Sequence, residues 1–451
     1  MFFQIQDILM VPIWSVILIT VSIYISKRWY LNTTDGRDFL WLVSLKMASG
    51  ILLGVLYMWY YGYGDTLRYF FSGSVMADVM VRDPEAGIRL LLGGNSDLSP
   101  DMKEVSMLIP YWKHQASALT IAKISAVLSL LTLDSYFANS LIFSFISATG
   151  IWVLYRMLLY YLPEQKKTLR IGVLFMPSMI FWSSGVFKDP IAIGVMGWLL
   201  WSFHQWIQKR KPPILILPLL FATAYILFVV KVYILLALLP FLAIAWAGNR
   251  AIQIENIRIR RRFKIIAGAI GIGLTIISIQ FITAFYPQFA MELLIDSIVA
   301  NRNELLYTDA YYTQGYGSRF DIGSFDASLS GIIQMLPSAF VSALFRPAIW
   351  DARSLIMLPA ILENMVLFVW VLTWIVGSRI RNLFSGFKDK PIVSALFLFS
   401  LVFLCFVGLS TSNFGTMSRY RLPAMPFFIA GIACLKKNKK SVPISSTSIA
   451  L

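Results

Sequence analysis

The sequence predicts an all-α, polytopic helical membrane protein with about eleven transmembrane helices and further helices along the outer face of the bilayer. Three observations predict it. Hydrophobic residues make up 58% of the 451 positions and charged residues 14%, with a mean hydropathy of +0.71. A soluble domain needs more polar surface than that. Apolar runs of about 18 residues or more recur along the chain, the length that a hydrocarbon core ~30 Å thick demands. Finally, most of the 39 Lys and Arg residues gather in short tracts between those runs.

The expected spans, in order, are 8–26, 39–61, 136–161, 171–187, 190–207, 214–230, 233–248, 264–285, 356–377, 391–411 and 423–437. The first run lacks a basic leader and a small-residue cleavage site, so it reads as a retained helix rather than a signal peptide. A full crossing by the run 117–133 would move Lys166, Lys167 and Arg170 outside, and the run also carries Lys123, a charge unfavourable at mid-bilayer. It therefore reads as an amphipathic or re-entrant helix against the outer face. The apolar stretch 214–247 is too long for one span, and Lys231 at its middle marks the outer turn of a tight hairpin.

Basic tracts set the orientation. They are Lys27/Arg28/Arg37, Lys166/Lys167/Arg170, Lys209/Arg210/Lys211, Arg250 with Arg258/Arg260/Arg261/Arg262/Lys264, Arg379/Arg381/Lys388/Lys390, and Lys436/Lys437/Lys439/Lys440. With the spans above, every tract falls on one side, which the positive-inside rule makes cytoplasmic. The N-terminus is then outside and the C-terminus inside. Two segments, about 62–135 and 287–353, face outward and mix aromatics, charges and short apolar runs as interfacial helices do. Residues 1–440 form a single transmembrane domain, and 441–451 a short disordered cytoplasmic tail.

The net charge of +16 follows from those tracts and does not point to nucleic acid. Cys405 and Cys434 lie in apolar runs and make no disulfide framework. His114 and His204 have no Cys or His partner at ligand spacing, which argues against zinc.

Four places carry polar groups suited to chemistry. The first is Tyr61-Gly-Tyr-Gly-Asp-Thr-Leu-Arg-Tyr69, where Asp65 follows a Gly-rich exit from a span and Arg68 and Tyr69 lie one helical turn on. A carboxylate there serves as a general base or a metal ligand, or simply caps the next helix. The second is Pro177 to Pro190, in which Ser183, Ser184, Lys188 and Asp189 interrupt an apolar run. Lys-Asp-Pro is an ordinary turn and helix start, yet ionisable groups at membrane depth are usually functional. The third is Asn413 to Pro426, with Arg419, Tyr420 and Arg421 on the outer side. Arginines bind phosphate through charge-assisted paired hydrogen bonds, or snorkel to the interface. The fourth is Leu344-Phe-Arg-Pro347, followed by Trp350-Asp-Ala-Arg353 and by Glu363 within the next span. Arg346 is placed to face a phosphate, and Glu363 to pair with a buried basic group. Outward carboxylates beside outward cations point to chemistry on a membrane-anchored phosphate, with lipid-linked sugars the obvious class.

These residues and their layout resemble the polytopic glycosyltransferase C superfamily. Asp65 matches the acidic position early in the first large outer loop of that superfamily, and 67–80 and 117–133 look like its two juxtamembrane helices. Asp189 matches a second acidic position, and Arg419-Tyr-Arg-Leu-Pro-x-x-Pro426 looks like the end of many such enzymes. The chain departs from the pattern in three ways: an extra span precedes the acidic loop, the motif is Gly-Asp rather than a pair of acids, and no soluble C-terminal domain follows. The resemblance implies a glycosyltransferase of a bacterial inner membrane, with a polyprenyl-phosphate-linked sugar as donor and a glycan or lipid as acceptor. Asp65 and Asp189 would be catalytic, and Arg68, Tyr69, Ser183, Ser184, Lys188, Arg346, Arg419, Tyr420 and Arg421 would bind substrate. The one candidate cofactor is a divalent ion such as Mg or Mn at the acidic positions, and the departures from the pattern leave metal dependence open. Two alternatives are an O-antigen-polymerase-like enzyme and a lipid-glycan transporter or flippase.

Overall fold

A computed structural model of the protein describes residues 5–30, 34–93, 109, 116–263, 265–266, 269, 273, 320, 329–377, 387 and 390–435. All of its described secondary-structure elements are helices. Among the described residues six helices are long and apolar enough to cross a membrane: Ile5–Arg28, Asp35–Tyr61, Tyr136–Tyr161, Pro213–Ile252, Leu355–Trp374 and Pro391–Ser410. Five of them coincide with the expected spans at 8–26, 39–61, 136–161, 356–377 and 391–411, while Pro213–Ile252 runs through the two expected at 214–230 and 233–248.

The helices are numbered in chain order: α1 Ile5–Tyr30, α2 Thr34–Val55, α3 Asp65–Arg82, α4 Pro84–Leu92, α5 Ala116–Thr132, α6 Tyr136–Tyr161, α7 Lys166–Leu169, α8 Pro177–Trp182, α9 Lys188–Ile207, α10 Pro213–Ile252, α11 Leu329–Phe345, α12 Leu358–Gly377, α13 Pro391–Ser410, α14 Phe414–Tyr420 and α15 Met425–Cys434. The α2 helix runs on into a π-helical turn, Leu56–Tyr61.

Several expectations change. The segment 171–187 is not one continuous helix; its pieces are a π-turn Arg170–Leu174, then α8, then a non-helical stretch before α9. The causes are local. Pro177 has no N–H to offer a preceding turn, and Gly185 has φ +76°, which ends α8 within a few residues of its start. With six residues, α8 rises only ~9 Å. The stretch 214–247 is helical on both sides of Lys231, whose φ −148° and ψ 73° put a one-residue kink into α10 in place of a separate loop. The segment 287–353, expected outside, contains an apolar helix, α11, which packs on α13 so closely that a Cβ on Gly408 would sit 2.0 Å from the Ala339 carbonyl oxygen. Close approach of small residues is how helices pack without a water-driven force between them. The final expected span shortens to the ten residues of α15. Span 264–285 falls almost wholly, and tail 441–451 wholly, outside the described residues.

The chain divides into two compact units, Met1–Leu154 with Met179–Val232, and Tyr155–Ser178 with Tyr233–Ala450. In the first, α6 and α9 touch backbone to backbone: a Cβ on Gly150 would lie 1.9 Å from the Gly194 carbonyl oxygen. Helices α3 and α5, the two expected juxtamembrane helices, cross at Gly73, where a Cβ would meet the Ala122 carbonyl at 2.9 Å. Lys123 lies half-buried on α5 and donates to the Gly93 carbonyl at the end of α4, at 3.1 Å. Burial lowers its amine from the ordinary value. Asp7 of α1 accepts from Ser135 Oγ at 2.6 Å and from the Phe137 N–H at 3.2 Å, capping the start of α6. In the second unit, α13 and α15 share a core of Phe399, Phe427 and Phe428.

Candidate functional site

The first unit gathers two of the four sequence motifs. After the π-turn, Gly64 takes φ +144°, a conformation open to glycine, and its Cα faces the Tyr57 ring. Asp65 is then the first residue of α3. Gly64 occupies the cap position, and no side chain caps it, so Asp65 is not the helix cap. Its carboxylate is exposed in the first turn, where unpaired N–H groups favour negative charge. Arg68 is exposed one turn on, while Tyr69 is buried.

Lys188 opens α9 and reaches the same place. Its Nζ donates to Ser117 Oγ of α5 at 2.9 Å and lies 5.8 Å from the Tyr69 ring centroid. Tyr57, which faces Gly64, packs edge-on against Phe187 at 5.3 Å. The Asp65 motif and the Lys188 motif are thus brought together by two separate contacts.

Asp189 is turned inward. It is 2% exposed, and its Oδ1 accepts from Lys231 Nζ at 2.5 Å in a buried ion pair. Sequence reading took Lys231 for a turn marker and missed this pairing. A lone charge inside an apolar run needs an opposite partner, and that was the available signal. Ser183 and Ser184 are also fully buried. Ser184 Oγ donates to the Ile180 carbonyl at 2.6 Å. Ser183 Oγ accepts from Lys46 Nζ at 2.6 Å and donates to the Met179 carbonyl, and Lys46 donates to the Ser183 carbonyl as well. These serines hold the break between α8 and α9.

The second unit holds the remaining residues, and Arg346 and Arg421 are engaged internally. Arg421 is fully buried. Its Nη2 donates to Glu363 Oε1 at 3.0 Å and Asn364 Oδ1 at 2.8 Å, and its Nη1 to the carbonyls of Ala343 and Leu344 at 3.2 and 3.1 Å. The expected outward phosphate contact is corrected accordingly: this guanidinium caps the end of α11. Glu363 pairs with a buried basic group, as its place in a span requires. Arg346 grips Asp351 with both arms of its guanidinium, Nε to Oδ2 at 3.0 Å and Nη2 to Oδ1 at 2.6 Å. It also lies 5.0 and 5.3 Å from the rings of Phe320 and Phe414. It too serves the fold rather than an open anion site. Arg419 and Tyr420 are half-buried at the end of α14, where the Tyr420 ring lies 6.2 Å from that of Tyr233.

Asp189 is committed to Lys231, and among the described residues no group of three or more His, Cys, Asp or Glu side chains is placed to hold a metal. What the first unit does offer is an exposed carboxylate, an exposed guanidinium and a half-buried ammonium around one pair of crossing helices. That set can accept a proton and stabilise a phosphate. No family model, curated protein or solved structure matches the chain.

Proposed function

We propose that the protein is a membrane glycosyltransferase, moving a sugar from a polyprenyl-phosphate or polyprenyl-pyrophosphate donor to an envelope glycan or lipid acceptor. The reaction takes place on the outer face of a bacterial inner membrane, in a chain of about eleven crossings with its basic tracts in the cytoplasm. The observation that carries the reading is the meeting of Lys188 with Tyr69 and Ser117, which joins the Asp65 segment to the start of α9.

Asp65 takes the proton of the acceptor hydroxyl. The acceptor oxygen bonds to the anomeric carbon as the bond from that carbon to the donor phosphate oxygen breaks. The released lipid phosphate or pyrophosphate carries the negative charge, which Lys188 and Arg68 offset. Asp189 sets the start of α9 through Lys231 and does not touch substrate. Arg346 and Arg421 have no part in the step because Asp351 and Glu363 occupy them.

The test is purified protein in liposomes supplied with polyprenyl-phosphate sugars and a lipid acceptor, with products read by mass. Addition of single sugars supports the proposal, and lengthening by blocks of repeat units supports the O-antigen-polymerase alternative. A second reading, a lipid-glycan transporter, draws on the broken segment between α8 and α9 with Lys46 buried at the break. Broken helices and buried charges mark many transport sites. Flux of lipid-linked glycan without any glycosyl transfer would favour it.

A further inference from the structure

We infer that Lys46 is a positioning residue: it clamps the break between α8 and α9 and thereby places the Lys188 ammonium beside Tyr69 and Ser117. Lys46 lies mid-way along α2 and is fully buried. Its amine donates to both the carbonyl and the hydroxyl of Ser183, the residue directly after α8. The last carbonyls of a helix lack intrahelical partners, and a lysine is a common cap for them. Among the described residues no carboxylate pairs with this amine, so its only acceptors are the two oxygens of Ser183. Burying an ammonium with neutral partners alone is unfavourable, which makes it an expensive choice for packing.

The rest of the break is fixed in the same way. The Gly185 N–H donates to Ser144 Oγ at 3.0 Å, and Ser140 Oγ donates to the Gly50 carbonyl at 3.0 Å, tying α6 to α2 beside Lys46. Gly185 has φ +76°, and a Cβ there would meet Leu53 Cδ2 at 3.2 Å. The Phe187 N–H donates back to the Gly185 carbonyl at 3.0 Å, and Lys188 follows at once. A short, fully bonded path therefore runs from the Lys46 amine to the first residue of α9. Release of the Ser183 end frees the path where it is anchored, and Lys188 loses its fixed distance from Ser117.

The significance for catalysis rests on the reading of Lys188 as a substrate contact, but the test reads geometry alone. In a chain carrying Cys405→Ala, Cys434→Ala and Ser117→Cys, a short amine-to-thiol cross-linker joins Lys188 to the introduced thiol, with yield read by peptide mass. Lys46→Met lowers that yield several-fold, while Lys46→Gln, which keeps a donor, restores most of it. Ser183→Ala removes the hydroxyl that accepts from Lys46 and also lowers the yield, which serves as the test if Lys46→Met does not fold. Undiminished cross-linking in folded Lys46→Met, or in folded Ser183→Ala where Lys46→Met does not fold, overturns the inference. So does equal loss in Lys46→Met and Lys46→Gln. A chain that cross-links as described but transfers no sugar refutes the proposed function and leaves the clamp standing.

Discussion

Arg421 and Glu363 form an ion pair of 3.0 Å in which the arginine is fully buried and the glutamate nearly so. The second glutamate oxygen, Oε2, accepts from the Ser178 N–H at 2.6 Å, and Asn364 donates to the Pro347 carbonyl at 3.0 Å. One arginine thus links the end of α11, the middle of α12 and the start of α8. Arg421→Met leaves Glu363 buried without its cation, and the expected loss is about 3–5 kcal/mol. The apparent Tm of purified protein in detergent measures it. The double variant Arg421→Met with Glu363→Leu recovers most of the loss, because a buried pair replaced by apolar groups of similar volume is often neutral.

Asp189 and Lys231 behave as a second such pair in the first unit. Lys231→Met strands the Asp189 carboxylate, which is 2% exposed, and destabilises by about 3–5 kcal/mol. Lys231→Met with Asp189→Leu restores the Tm. A single Asp189→Asn that leaves Tm and activity both untouched contradicts the pairing.

Gly150 cannot carry a side chain while α6 and α9 stay where they are, because a Cβ would stand 1.9 Å from the Gly194 carbonyl oxygen. Gly150→Ala pushes two backbones apart, and the destabilisation reaches at least about 1–3 kcal/mol. The control is Ala339→Ser on α11, which keeps the size of the contacting residue small and moves Tm far less.

Acid sensitivity has one assignable contribution in Asp351. Burial raises its carboxyl, but the Arg346 hydrogen bonds, the Ala348 N–H and the charges of Arg346 and Arg353 outweigh that and hold it below the ordinary carboxylate value. The folded value is thus below the unfolded one. The pairing stabilises fully above the ordinary carboxylate range, and this stability is lost as pH falls through the lowered folded value. Asp351→Asn is less stable than the parent at neutral pH, and the gap closes on acidification. A gap independent of pH between neutrality and that acid range contradicts the assignment.

The long spans were legible because hydropathy alone sets them: 136–161 and 391–411 reappear almost to the residue as α6 and α13. The run 117–133 reappears as the helix α5, and its Lys123 caps α4. The broken segment 171–187 was not, because its apolar composition outweighed the local effects of Pro177 and Gly185 in a window average. Motif reading picked out Asp65, Tyr69 and Lys188, and the fold brings those segments together. The same reading could not tell an outward arginine from an inward one. Arg346 and Arg421 are adjacent in chemistry to Arg419, and only tertiary packing against Asp351 and Glu363 distinguishes them. Lys231 stood out as a charge in an apolar run, but its partner is 42 residues away, and the partner of Lys46 is 137 residues away.

The central claim is tested most directly by the initial rate of sugar transfer from a polyprenyl-phosphate sugar in proteoliposomes, compared between the parent chain and Asp65→Asn. Asp65 is exposed and at the start of α3, so the substitution leaves Tm nearly unchanged. The account predicts measurable transfer by the parent and a loss of about 10²–10⁴-fold in kcat in the variant, the usual contribution of a positioned base. Transfer by Asp65→Asn at the parental rate, or no transfer by folded parent protein from polyprenyl-phosphate or polyprenyl-pyrophosphate sugars, would contradict it.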